Sequence, residues 1–283
     1  MASEFRMLRI LHVSDTQLAD GSEERQIVDF AKAEQVDILV HTGDLLDRKK
    51  RPTSDQAWEI IRNKLAIMTG KNSLPLIIIP GNHDPESFRY RSGPEKLQAL
   101  KQVVGIFREA GGIVPDEQGL RLSEQVSLTY LNRFCEEDCF YGISVRDPVT
   151  RPIENQINLG IAHGIGYVPY HLIFKKILDW SMAVELERRD TYKRLREIIA
   201  LGYDIILCGH HRHSNVPNGL FQHRQKLVSL RGQQNSGDKE LDEIADCGTF
   251  IEIKGSEIEV STVRFTTQEI VWEQSYEELE NES

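Results

Sequence analysis

The chain has 283 residues, 40% of them hydrophobic and 28% charged, which suits a soluble globular protein with a sizeable core. Its formal net charge of −10 argues against a sequence-independent nucleic-acid binder, which would be basic. No apolar run is long enough to span a bilayer, residues 1–6 lack the pattern of a secretory signal, and Cys135, Cys139, Cys208 and Cys247 lack zinc or disulfide spacing, so a cytoplasmic protein with free thiols and no membrane partner is expected.

Strands and helices alternate from the start. Residues 8–13 read as a short apolar strand ending at Ser14-Asp15-Thr16-Gln17. Residues 23–35 have helical spacing, with Ile27, Phe30 and Ala31 on one face. A strand at 37–40 runs into Gly43-Asp44-Leu45-Leu46-Asp47-Arg48, and Thr53-Ser54-Asp55 caps a helix carrying Ala57, Ile60, Ile61, Leu65 and Met68. The β-branched run at 76–79 then ejects Pro80-Gly81-Asn82-His83-Asp84 into a loop. Two strand–helix–strand crossovers within 80 residues imply a parallel inner sheet with these three strand ends on one edge.

Further along, 94–110 is an amphipathic helix and 113–150 is strand-rich but irregular. A strand at 158–162 delivers His163. The segment 167–200 is mostly helical, its aromatics Tyr167, Tyr170, Phe174 and Trp180 reading as packing rather than a ligand groove. Ile205 to Cys208 form the last motif strand, ending at Gly209-His210-His211-Arg212-His213. Strands at 226–230, 249–253 and 258–263 are expected to build a second sheet packed on the first. Without repeats or linkers, one domain over 1–283 is expected. Five glutamates in 273–283 read as an exposed tail. The basic clusters Arg48-Lys49-Lys50-Arg51 and Arg89-Tyr90-Arg91 are either solvated loops or tracks for a phosphate backbone.

Five strand ends on one sheet edge thus present Asp15, Asp44, Asn82, His163 and His210. The plain reading of the third loop alone is a turn whose Asn and Asp cap their own backbone; convergence of all five argues otherwise. Carboxylates, an amide oxygen and imidazoles suit a hard or borderline divalent metal, manganese foremost, with iron or zinc as alternatives. Two ions roughly 3.5–4 Å apart, sharing a carboxylate, would activate a water for in-line attack on phosphorus. His83 is placed to protonate the leaving oxygen.

The series Asp15-x-Gln17, Gly43-Asp44-x-x-Asp47-Arg48, Gly81-Asn82-His83-Asp84, Ala162-His163-Gly164 and Gly209-His210 resembles the calcineurin-like metallophosphoesterases. The resemblance implies a four-layer αββα sandwich of two mixed sheets flanked by helices, with the metal site at the strand-end edge. It implies that Asp15 binds the first metal, Asp44 bridges, and Asn82, His163 and His210 hold the second. His83 would be the catalytic acid, with Asp47 and Asp84 orienting ligands from behind. Within the family, Ile10 to Asp15 and the stretch 43–57 look most like the SbcD-type DNA-repair exonucleases. That likeness implies a phosphodiester substrate, DNA or RNA, and a homodimer or an ATPase partner.

Two positions depart from the family pattern. Gln17 and Arg212 stand where imidazoles usually bind the first metal. A glutamine offers only a weak carbonyl oxygen and a guanidinium cannot ligate. Arg212 is instead expected to contact the substrate phosphate, with one or two metal ions bound. The alternative is that a one-residue bulge lets His213 ligate in its place. Two classes of function follow: an active phosphoesterase, either a phosphodiesterase or nuclease or else a phosphomonoesterase, and a phosphoesterase-fold scaffold with weakened catalysis.

Overall fold

The computed structural model describes residues 6–16, 21–46, 54–70, 74–86, 93–116, 118–131, 152–165, 180–210, 219–223, 226–231, 247–271 and 277–278. The first half is the expected alternation: β1 (Leu8–Val13), α1 (Ser22–Ala33), β2 (Ile38–His41), α2 (Ser54–Met68) and β3 (Leu76–Ile78). A four-residue α3 (His83–Glu86) and the long α4 (Gly93–Glu109) follow. Next come β4 (Leu120–Arg121), β5 (Val126–Tyr130), β6 (Ile157–Ala162), α5 (Trp180–Ala200) and β7 (Ile205–Cys208). The remaining strands are β8 (Gly219–His223), β9 (Lys226–Leu230), β10 (Cys247–Lys254), β11 (Glu257–Arg264), β12 (Glu269–Val271) and β13 (Glu277–Glu278).

These strands make two mixed sheets. One runs β12-β11-β10-β1-β2-β3, and the other β13-β8-β9-β7-β6-β5-β4. Strands β1, β2 and β3 are parallel, as two crossovers require. In the second sheet β5, β6, β7 and β9 are parallel neighbours.

Side-chain alternation along each strand sorts the core into three apolar layers. On β1, Leu11 and Val13 face α1, α2 and α4, meeting Ile27, Phe30, Ile61, Leu65 and Phe107. Ile10, one residue away, faces the second sheet, where Ile38 and Val40 meet Leu128, Leu159, Ile161 and Leu207. Beyond the second sheet, Ala162, Ile206 and Cys208 pack on Leu195 and Ile198 of α5. Helices, sheet, sheet and helix stack in that order, the four-layer αββα sandwich expected.

Two expectations are corrected. Strands 249–253 and 258–263 do not extend the second sheet: β10 and β11 form a hairpin added antiparallel to β1 in the first. Only β9 joins the second sheet, beside β7. Alternation fixes which face of a strand is buried but not its neighbour, and the otherwise open edge of β1 takes the hairpin. The ligand-bearing loops consequently lie on the ends of two sheets rather than one, three on the first and those of β6 and β7 on the second. Within the acidic end, Glu277 and Glu278 pair parallel to Phe221 and Gln222. Within 167–200 the described helix is α5; 166–179 and 132–151 lie outside the described residues.

Candidate metal centre

At the carboxyl end of β1, Ser14 leads into Asp15, whose backbone turns into the left-handed region at φ 57°. Asp44, after β2, has φ 60°, and His210, after β7, has φ 71°. Half of the six non-glycine residues with positive φ among the described residues therefore stand at this one strand-end edge. Such backbone is disfavoured for L residues, and it persists where surrounding contacts over-determine it. Here they do. Asp15 N–H donates to the Gly43 carbonyl (2.9 Å), joining the first two loops. Ser14 Oγ donates to Asp15 Oδ2 (2.6 Å), and His210 N–H donates to the same oxygen (3.0 Å), tying the loop of one sheet to that of the other.

Asp44 sits at the middle. His83 N–H donates to its Oδ1 (2.8 Å), His163 Nε2 lies 3.4 Å from Oδ1, and His83 Nδ1 lies 3.5 Å from Oδ2. The His163 and His210 rings pack edge to face with centroids 5.0 Å apart. Ligand atoms of Asp44, His163 and His210 all lie within 4.8 Å of one another. Asn82 completes the group, its Oδ1 2.8 Å from His163 Nε2.

The hydrogen bonds decide what that group fits. His163 Nδ1 lies 2.7 Å from the Thr42 carbonyl, which only accepts, so Nδ1 carries the proton and the neutral ring presents its Nε2 lone pair. That lone pair faces Asn82 Oδ1 and Asp44 Oδ1, two further acceptors. With the amide oxygen so placed, three acceptors turned towards each other call for a proton on Nε2 or a metal ion among them, whereas a turned Asn82 amide would donate instead. A second imidazole and a second buried carboxylate at the same edge favour the metal, and the donor set is that of a hard or borderline divalent ion.

Asp84 holds this geometry from behind. Its carboxylate accepts the N–H groups of Gly81 (2.8 Å), Leu45 (2.9 Å) and Asp44 (3.2 Å). Burial pushes its carboxyl up to about 6, and those backbone donors pull the other way. The plain turn reading was therefore half right, because Asp84 does bind its own loop, but it also binds the loop of Asp44. Two glycines explain why the loops can touch. A methyl on Gly81 would overlap Asp44 Oδ1, and one on Gly209 would overlap Ser14 Oγ while standing 3.0 Å from Asp15 Oδ2.

The structure thus brings together Asp15, Asp44, Asn82, His83, His163 and His210. Gln17 and Arg212 lie outside the described residues, as do His211, His213, Asp47 and both basic clusters. Sequence reasoning gave His12 and His41 no role at the site. His41 is buried, its Nδ1 accepting Gly43 N–H (3.2 Å) and its Nε2–H donating to Thr16 Oγ1 (2.9 Å). It spans the first two loops. Burial, helped by the Lys64 ammonium, pushes its imidazole down to about 3. Lys64 is itself buried, paired with Glu24 (2.9 Å) and bound to the Thr16 carbonyl. The overlooked signal was periodicity: Lys64 falls on the apolar stripe of α2, between Ile61 and Met68, where a lysine has no ordinary reason to be.

An αββα sandwich with carboxylates, an amide and imidazoles converging at the carboxyl ends of its strands is the architecture of a metal-dependent hydrolase. A family model for calcineurin-like phosphoesterases matches residues 8–217, and the chain belongs to that family. Among curated proteins it is similar to the DNA double-strand break repair protein Mre11 of Saccharolobus solfataricus, with 34% identity over 28% of this chain and 23% of the relative. Mre11 of Sulfolobus acidocaldarius matches at 24% identity over 58% of this chain and 43% of the relative. A subunit of the nuclease SbcCD from Bacillus subtilis matches at 28% identity over 34% of this chain and 25% of the relative. The chain therefore spans less than half the length of each of these relatives. In fold it is similar to purple acid phosphatase PPD1 from yellow lupin (Lupinus luteus) seeds, with a TM-score of 0.50 and 13% identity over 94% of this chain and 53% of that one. No helix among the described residues is long and apolar enough to cross a membrane.

Proposed function

We propose that the chain is a phosphodiesterase acting on DNA or RNA, with manganese as its metal. The observation that carries this reading is the convergence of Asp44, His163 and His210 ligand atoms within 4.8 Å, with Asn82 and Asp15 beside them. The DNA-repair and nuclease relatives named above favour a nucleic acid over a small phosphomonoester. When bound, the ions supply a water activated as hydroxide and neutralise charge on the phosphoryl oxygens. Asp15, aided by Gln17, would hold one ion, Asn82, His163 and His210 the other, and Asp44 both. His83 has its Nδ1 towards Asp44, leaving Nε2 to deliver a proton to the leaving oxygen. Arg212 would pair its guanidinium with two phosphate oxygens.

Metal analysis of purified protein, and turnover of bis-p-nitrophenyl phosphate and of DNA with added manganese, test the reading. Asp44→Ala and His163→Ala should abolish both metal content and turnover. His83→Ala should keep its metal and slow cleavage of a poor leaving group by about 10²- to 10⁴-fold; full activity there would refute the acid assignment. A wild-type protein with neither metal nor turnover would be a scaffold. Cleavage of phosphomonoesters without cleavage of DNA or RNA would refute the nuclease reading.

A further inference from the structure

Lys64 is 1% exposed and Glu24 not at all, and the Nζ–Oε1 distance is 2.9 Å. Burying two charges costs several kcal/mol per ion, and a buried pair is often no better for stability than apolar residues of the same size. Ala57, Ile61, Leu65 and Met68 share this face of α2; a methionine at 64 would fill the space. The ammonium must be retained for something directional. It points at Thr16. Lys64 Nζ donates to the Thr16 carbonyl, while Thr16 Oγ1 receives the Nε2–H of His41. Thr16 follows Asp15, whose own N–H is bound to Gly43 and whose Oδ2 receives His210 N–H. The chain leaving β1 is held at Asp15 N, Thr16 Oγ1 and Thr16 O, and the last of these is Lys64's. Glu24, in the first turn of α1, aims the ammonium and offsets part of its charge.

We propose that Lys64, aimed by Glu24 and seconded by His41, is a positioning residue that holds the Asp15–Thr16 backbone in its left-handed turn and thereby sets the metal affinity of the Asp15 carboxylate. This rests on the metal-centre reading above.

The test is the double variant Lys64→Met/Glu24→Leu, which removes both charges and keeps the volume. Its thermal midpoint without metal should equal or exceed that of the wild type. Calorimetric titration with Mn²⁺ should show one class of site weakened by about 10- to 100-fold, the usual worth of a group that orients a ligand, and kcat should fall with KM for the small diester little changed. Wild-type Mn²⁺ affinity in a folded double variant overturns the proposal. If the double variant gives no cooperative melt, His41→Leu decides, since it keeps the ion pair and removes the other side-chain hold on Thr16. Unchanged Mn²⁺ affinity there overturns the proposal equally. A wild-type protein that binds no Mn²⁺ instead refutes the metal-centre reading, so the two failures are distinguishable.

Discussion

Replacing Gly81 with alanine puts a methyl group into the space that lets the third loop lie against the second. The new carbon would overlap Asp44 Oδ1 and stand 2.7 Å from Asp44 Cγ. Carbon atoms pack at about 3.5–4.0 Å, so one loop must retreat by about 1 Å. Neither side moves without loss. Asp44 Oδ1 holds His83 N–H at 2.8 Å, and Gly81 N–H is bound to Asp84 Oδ2 at 2.8 Å. Overpacking costs about 1–3 kcal/mol and one broken buried hydrogen bond a further 1–3, so unfolding free energy should drop by about 2–6 kcal/mol. The displaced atom is a proposed ligand oxygen, so Mn²⁺ affinity should fall as well. Urea unfolding in chelator measures the first quantity and titration of the folded protein with Mn²⁺ the second. A variant within about 0.5 kcal/mol of wild type, the ordinary range for an inconsequential surface change, would refute the close approach.

Gly105, inside α4, is the opposite case, because a methyl there meets nothing within 4 Å. Gly105→Ala should stabilise the protein by about 0.5–1 kcal/mol in the same urea experiment and leave Mn²⁺ binding unchanged. Acid sensitivity is a further test. Burial holds His41 down to about 3 and His12 well below 6.5, so the unfolded chain accepts protons that the fold refuses, and stability falls as pH drops below 6.5. Asp84, pushed up to about 6, works in the opposite direction, since the fold takes its proton first. Comparison with His41→Leu cancels that contribution. Between roughly pH 6 and 4, in chelator, wild-type stability should decline about 1.4 kcal/mol per pH unit more steeply than the variant's. Parallel lines would mean that His41 takes up a proton in the fold.

What the sequence made legible and what it hid divide along a physical line. Strands at 8–13 and 205–208 were readable because a buried strand is written in consecutive apolar residues, and their terminal Asp15 and His210 were readable because polar residues directly after such runs have one place to go. The destination of the 247–264 hairpin was not, since pairing partners are chosen by the whole fold. Asp44 stood out by its motif, but Asp84's grip on three amides could not be seen, because backbone acceptors leave no trace in composition. Lys64, His41 and Glu24 act through contacts 25 to 48 residues away in sequence, and only the misplaced charge on an apolar stripe announced one of them.

The same division bears on how a site built from two sheets keeps its dimensions. Apolar layers are non-directional and do not by themselves fix the register of one sheet over the other. Near the site, polar contacts supply the direction. The Arg231 guanidinium, which can only donate, gives hydrogen bonds from Nε and an Nη to Thr249 Oγ1. With both lone pairs taken, Thr249 must donate to Ser229 Oγ (2.7 Å). Ser229 in turn donates to His12 Nδ1, and His12 Nε2–H donates to Thr42 Oγ1, each at 3.0 Å. One donor-only group thus sets the sense of every bond in the chain and fixes the His12 tautomer. It runs from Arg231, just past β9 of the second sheet, to Thr249 on β10 of the first, back to Ser229 on β9, and across again to His12 on β1 and Thr42, whose carbonyl orients His163 of the second sheet. The chain crosses between the sheets and returns, so a slip of either would break bonds that cannot reverse. His12 therefore belongs to the mechanism that keeps the His163 half of the centre opposite the Asp15 half, although it touches neither.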